Sequence, residues 1–249
     1  MRSWWLFSAA LLSLPLQAQE HSAAQHTQEH MLQEYVLQEH GGAYTGSILG
    51  ERVEYLPVRD ALQWGAQGWY GSDLNKAWFK TEGKYDTAAS ALAHGEMQLL
   101  YSRAVAPYWD LQSGLRVDAG EGAPRHYAVL GLMGLAPYWF ELNLAGFLSE
   151  RGALSARLEA DYELRFTQRL ILQPRAAFDY RFTRDAAAHI GRGLGDAELG
   201  LRLRYEWRRE FAPYIGVERR EVHEGSAAPL ESARTAWETS WLVGLRFWY

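Results

Sequence analysis

The segment from Leu154 to Phe182 constrains this chain more than any other. One parity of its first half reads Leu154, Ala156, Leu158, Ala160, Tyr162, Leu164, Phe166, and the other reads Ser155, Arg157, Glu159, Asp161, Glu163, Arg165. With about half of all residues apolar, such a sorting arises by chance roughly once in ten thousand draws. Strand side chains alternate faces, so the segment has one apolar face and one ionic face. Thr167-Gln168 turns the chain. The second half sets Leu170, Leu172, Pro174, Ala176, Phe178, Tyr180 and Phe182 against Gln173, Arg175, Asp179 and Arg181. Each arm is about thirteen residues, against five or six for an ordinary globular strand. A tilted membrane-spanning strand needs about nine to eleven.

The unit recurs along the chain. Weaker or stronger alternation covers 49–56, 62–70, 74–85, 94–105, 108–118, 126–135, 138–148, 197–207, 214–222 and 237–249. The run at 126–135 is apolar on both parities, so its phase stays open. Together with the two arms of the hairpin these runs predict about twelve strands. Short turns fall at Ala106-Pro107, Ala136-Pro137, Thr167-Gln168 and Arg209-Glu210, and longer Gly- and charge-rich loops at 119–124, 183–193 and 224–233. Ala-Pro-Tyr recurs at 106–108, 136–138 and 212–214, each time read as a short turn. Pro is tolerated at a strand's first residues because they need not donate to the ladder. Short turns at one rim and long loops at the other predict an all-β, transmembrane, up-and-down antiparallel barrel over 47–249. Both termini then lie at the short-turn rim, which faces the periplasm in such barrels.

A soluble barrel or β-sandwich has the same period but turns its apolar face inward. Strand length argues for the membrane, and so do the aromatics near strand ends: Trp109, Tyr138, Trp139, Trp207, Trp248 and Tyr249. The 11 Trp and 14 Tyr also suit a membrane interface better than a water-soluble core. A last strand ending on an aromatic residue resembles the signal that hands bacterial outer-membrane barrels to their assembly machinery. Residues 1–18 read as a secretory signal peptide, with Arg2, an apolar core from Trp4 to Leu16, and a small residue at Ala18. The chain has no cysteine, which rules out disulfides and thiolate metal sites. Its formal charge of −5 is spread out, with no basic footprint for nucleic acid.

Residues 19–46 form a polar tail without alternation. His21, His26, His30 and His40, half of the 8 histidines, fall there with Met31. Imidazole suits Cu(II), Zn(II) and Ni(II), while thioether suits Cu(I). His26 and His30 share a face if the segment is helical. Such a tract holds metal weakly, because it must order to do so. The alternative is a solvated linker with incidental histidines. The ionic parity of the strands mixes both signs: Arg157, Glu159, Asp161, Glu163, Arg165, Arg175, Asp179, Arg181, Glu198, Arg202, Arg204, Glu206, Arg208 and Arg246. It reads as a ladder of ion pairs filling a narrow barrel, and its arginines argue against a simple cation pore. No Ser–His pair has a spacing that suggests a nucleophile and its base, so no enzyme is expected. Gly191 to Gly195 has no following helix and does not read as a phosphate loop.

Several motifs resemble the CopB family of outer-membrane copper resistance proteins. They are Trp69-Tyr70-Gly71-Ser72-Asp73-Leu74-Asn75-Lys76 with Lys80-Thr81-Glu82-Gly83, Gln98 to Arg103, Leu135 to Glu141, Thr167 to Pro174, Glu198 to Glu206 and Gly244 to Trp248. The resemblance covers roughly 49–249. It implies an outer-membrane protein that binds periplasmic copper and contributes to its sequestration or export. It implies outer-membrane lipid, a weakly held copper ion, Cu(I) or Cu(II), and periplasmic copper-handling proteins as partners. Many members carry a long Met- and His-rich segment before the barrel; here it is short, with Met31 its one thioether. On that reading the metal residues are His21, His26, His30, Met31 and His40. The alternative is a passive or structural barrel, or a narrow pore, with no metal function.

Overall fold

A computed structural model describes residues 44–120, 123–183, 192–224 and 234–249. The strands are β1 (Thr45–Leu56), β2 (Ala61–Gly71), β3 (Asn75–Asp86), β4 (Ala91–Ala106), β5 (Trp109–Gly120), β6 (Arg125–Ala136), β7 (Phe140–Ser149), β8 (Leu154–Asp161), β9 (Leu164–Arg165), β10 (Leu170–Arg181), β11 (Gly193–Tyr205), β12 (Phe211–Glu224) and β13 (Arg234–Trp248). Each pairs antiparallel with its neighbour, and β13 closes on β1 through pairs such as Gly244 with Glu54. β8 and β9 both pair with β10, as two pieces of one interrupted strand. The wall therefore has twelve staves, as the alternation predicted.

The connections sort by rim. Those at 72–74, 107–108, 137–139, 166–169 and 206–210 share one end with the start of β1 and the end of β13. The connections at 57–60, 87–90 and 150–153 share the other, with the end of β5 and start of β6, the end of β10 and start of β11, and the end of β12 and start of β13. β5 runs on to Gly120, so the connection near 121 is shorter than the sequence suggested. β1 begins at Thr45, and Thr45 and Gly46 already pair with Gly71 and Tyr70. In the first two Ala-Pro-Tyr copies the Pro starts a tight turn and the Tyr takes a left-handed backbone, with φ of 68° at Tyr108 and 67° at Tyr138. The third copy differs from expectation. Ala212, Pro213 and Tyr214 lie inside β12, paired with Arg246, Leu245 and Gly244. Residues 206–210 supply the turn there, which leaves Tyr214 free to point inward.

The apolar face is outside. Leu99, Leu115, Leu130, Ile215 and Trp241 are all exposed, whereas Arg52, Glu54, Glu96, Arg116, Glu198, Arg202 and Glu218 are buried. A soluble barrel would show the reverse, so the exposed band is the surface that meets lipid. Tyr108, Tyr138, Trp139, Trp207 and Tyr249 are exposed at the short-turn rim, where amphipathic rings sit at the bilayer interface. The interior is not uniformly ionic. Trp78, Leu100, Val129, Ala145 and Phe147 form an apolar pad inside the barrel, with Trp69, Tyr127 and Met133 packed against it. This pad explains the open phase of 126–135: both faces of β6 are apolar, one towards lipid and one towards the pad. Two residues read as lumenal, Arg165 and Arg208, are instead exposed near the short turns.

Candidate functional site

Among the described residues, two cavities lie along the axis of the lumen. One, of about 410 Å³, lies towards the short-turn rim and is lined by residues including Glu51, Lys76, Trp78, Lys80, Asp110 and Glu141. The other, of about 340 Å³, lies towards the opposite rim and includes Lys84, His94, Arg125, Arg181, Asp196 and Arg220. Carboxylates outnumber cations in the first, and cations outnumber carboxylates in the second. Glu82, Arg157, Glu159 and Arg175 line both, so they form the partition between them.

The partition is a belt of ion pairs spanning the lumen. Arg157 of β8 reaches Asp179 Oδ1 at 3.0 Å, Glu96 Oε2 at 3.2 Å and Glu82 Oε2 at 3.9 Å. Glu82 of β3 also receives Arg52 Nη2 from β1 at 3.5 Å. Arg52 turns its other nitrogen to Glu198 Oε1 at 3.4 Å. Arg175 holds Glu159 at 2.5 Å and Asp161 at 2.8 Å. Arg116 forks onto Asp118 and meets Glu96 Oε2 at 2.8 Å. Two further knots tie distant strands. Arg202 Nε meets Glu54 Oε1 at 2.6 Å, and Glu163 Oε1 accepts both Arg204 and Arg246, at 2.7 and 2.8 Å. Pairing stabilises charges this deep, because removing the partner of a buried ion costs several kcal/mol, of order 3–5. The sequence foresaw the ladder but not the partners that reach across the lumen, such as Glu54 for Arg202 and Glu198 for Arg52, which barrel closure selects.

A different arrangement sits beside the apolar pad. Lys80 Nζ donates to Gln112 Oε1 at 2.9 Å and approaches Met133 Sδ at 3.9 Å. It lies 5.8 Å from the centre of the Trp78 ring. Neither Gln112 nor Met133 stood out in the sequence: a single Gln and a single Met on strands carry no spacing signal.

The metal residues named from sequence, His21, His26, His30, Met31 and His40, lie outside the described residues, as do the signal peptide and all but the last three residues of the tail. Among the described residues no group of three or more His, Cys, Asp or Glu is arranged to hold a metal ion. His94 lines the cavity towards the long-loop rim, and His126 is exposed on the barrel wall.

Known proteins align with this architecture. The barrel of the NanC porin superposes with a TM-score of 0.53, at 13% identity over 82% of this chain and 99% of that one, a likeness of fold. Copper resistance protein B of Escherichia coli is 38% identical over 215 residues, 82% of this chain and 72% of that protein. The copper resistance protein B homolog of Pseudomonas syringae pv. tomato is 34% identical over 213 residues, 84% and 72% of the two chains. The family described as copper resistance protein B precursor matches residues 44–249, the whole described barrel. The chain belongs to the CopB family of copper resistance proteins and is a β-barrel of the bacterial outer membrane.

Proposed function

We propose that the protein supports copper resistance by capturing periplasmic copper on its tail, with the barrel as membrane anchor. His21, His26, His30, Met31 and His40 supply imidazole and thioether donors of the kind copper takes in either oxidation state. The observation that carries the reading is the belt. A bare cation crossing the lumen would meet the guanidinium groups of Arg52, Arg157 and Arg175, each already paired with carboxylates. A hard-wired ion-pair belt suits an anchor better than a cation path. The test is deletion of residues 21–40 in the full chain. Loss of copper tolerance with the barrel still assembled supports capture by the tail; unchanged tolerance refutes it.

A second reading, passage of copper outward through the barrel, is favoured by the two cavities that flank the belt. It requires that the belt open, and steady conductance of the purified protein in a planar bilayer would support it. A barrel without metal function predicts neither lost tolerance on deletion nor bound copper.

A further inference from the structure

Lys80 is an unusual buried cation. Its residue is 9% exposed, and among the described residues no carboxylate oxygen lies within 4.0 Å of its ammonium. Glu51, Glu82, Glu96 and Glu159 act on it only from farther away. Its near neighbours are neutral: the Gln112 amide oxygen, the Met133 thioether and the Trp78 ring. The Gln112 amide nitrogen in turn points to Met133 Sδ at 4.0 Å, which fixes which end of the amide faces Lys80. Three strands supply this set from the lumenal side, β3 with Trp78 and Lys80 and, beyond the intervening β4, β5 with Gln112 and β6 with Met133, and Trp78 is locked in the apolar pad. An amide oxygen, a thioether and an indole face are the groups that attract a monovalent cation, and the thioether selects a soft one.

We propose that Gln112, Met133 and Trp78 form a cation cradle in the barrel wall, and that Lys80 fills it with its own ammonium. Lys80 is thereby the residue that excludes soft monovalent metal ions, Cu(I) and Ag(I), from the cavity towards the short-turn rim. A metal ion about 4 Å from that ammonium is repelled strongly enough at protein-like screening to weaken binding roughly a thousandfold. The inference concerns the wall alone and holds whether or not the tail carries copper.

The test is titration of the full-length protein in detergent micelles with silver(I) in chloride-free nitrate buffer. Lys80→Met removes the charge and places a second thioether beside Met133. Because Lys80 has no close carboxylate, its removal leaves no ion stranded at hydrogen-bond distance, and the barrel is expected to assemble. Heat-dependent gel migration checks assembly. Lys80→Met should bind one more equivalent of silver than the unaltered protein. Met133→Leu should abolish that gain in the Lys80→Met background and change nothing alone. Should Lys80→Met not assemble, Lys80→Gln carries the same comparison, with a weaker gain that Met133→Leu also abolishes. An unchanged silver count in the Lys80 variant overturns the proposal. So does loss of an equivalent on Met133→Leu alone, since the cradle would then bind metal with Lys80 in place.

Discussion

Arg202 of β11 and Glu54 of β1 lie 148 residues apart in sequence and meet inside the barrel, Nε to Oε1, at 2.6 Å. Tyr214 Oη donates to the same oxygen at 2.9 Å, and Glu218 Oε2 stands 3.6 Å from Arg202 Nη2. Glu54 is fully buried. Truncating Arg202 leaves the Glu54 carboxylate buried with the Tyr214 hydroxyl as its donor but without its closest counter-charge. Arg202→Ala should therefore destabilise the barrel by about 3–5 kcal/mol. Adding Glu54→Ala should restore part of that loss. Urea unfolding of the protein in lipid vesicles checks both, and strictly additive effects would show that the two side chains do not act as a pair.

Leu130 lies midway along β6 and is 62% exposed. If that face meets lipid, Leu130→Arg should cost about 2–4 kcal/mol, falling towards zero for the same change near a rim. The same unfolding measurement decides it. A neutral effect at mid-strand would mean that the outer face of β6 is not at the bilayer midplane.

Arg157 ties β8 to β3, β4 and β10 in the partition between the cavities. With it in place, single-channel recordings in planar bilayers should show no steady current. Arg157→Ala should open a measurable conductance that prefers cations, because Glu82, Glu96 and Asp179 lose their shared counter-charge. Identical traces for the two proteins would place the constriction elsewhere.

Trp64 and Gly83 face each other on β2 and β3, and the indole covers the glycine so closely that an added Cβ would clash with the ring. The ring fills the surface that a glycine leaves bare on a sheet. Gly83→Ala should displace Trp64 and cost about 1–3 kcal/mol, as overpacking does. The displaced ring should also lose its indole contact to Thr81 Oγ1, now at 3.3 Å. Tryptophan emission compared with a Trp64→Phe control reads the shift.

The tail reading has its own test. A peptide of residues 19–42 should bind Cu(II) at about micromolar affinity, as expected of imidazole ligands in a segment that must order on binding. Replacing His26 and His30 together with Ala should weaken it about tenfold or more. Calorimetry at neutral pH that shows no heat of binding would remove the tail as a capture site.

The strands, their number and the short turns near 107, 137, 168 and 209 were legible in the residues, because alternation and turn chemistry are local. Leu154 to Phe166 against Ser155 to Arg165 needs no partner to show two faces. The family was legible too, through contiguous motifs such as Trp69 to Lys76 and Glu198 to Glu206. Tertiary structure alone decided the rest. It turned 126–135 one way round, because the apolar pad inside the lumen competes with lipid for the same residues. It placed the third Ala-Pro-Tyr inside β12, because 206–210 had already made the turn. It also chose the partners of the charges. Arg157 with Asp179 and Arg175 with Asp161 follow from the hairpin register, but pairs such as Arg202 with Glu54 and Arg52 with Glu198 depend on closing β13 against β1 with its particular stagger, and no local pattern carries that information. Lys80 shows this most plainly: as one charged residue on an alternating strand it looks like any rung of the ladder. Only the register of β3, β5 and β6 gives it an amide, a thioether and an indole ring in place of a close carboxylate.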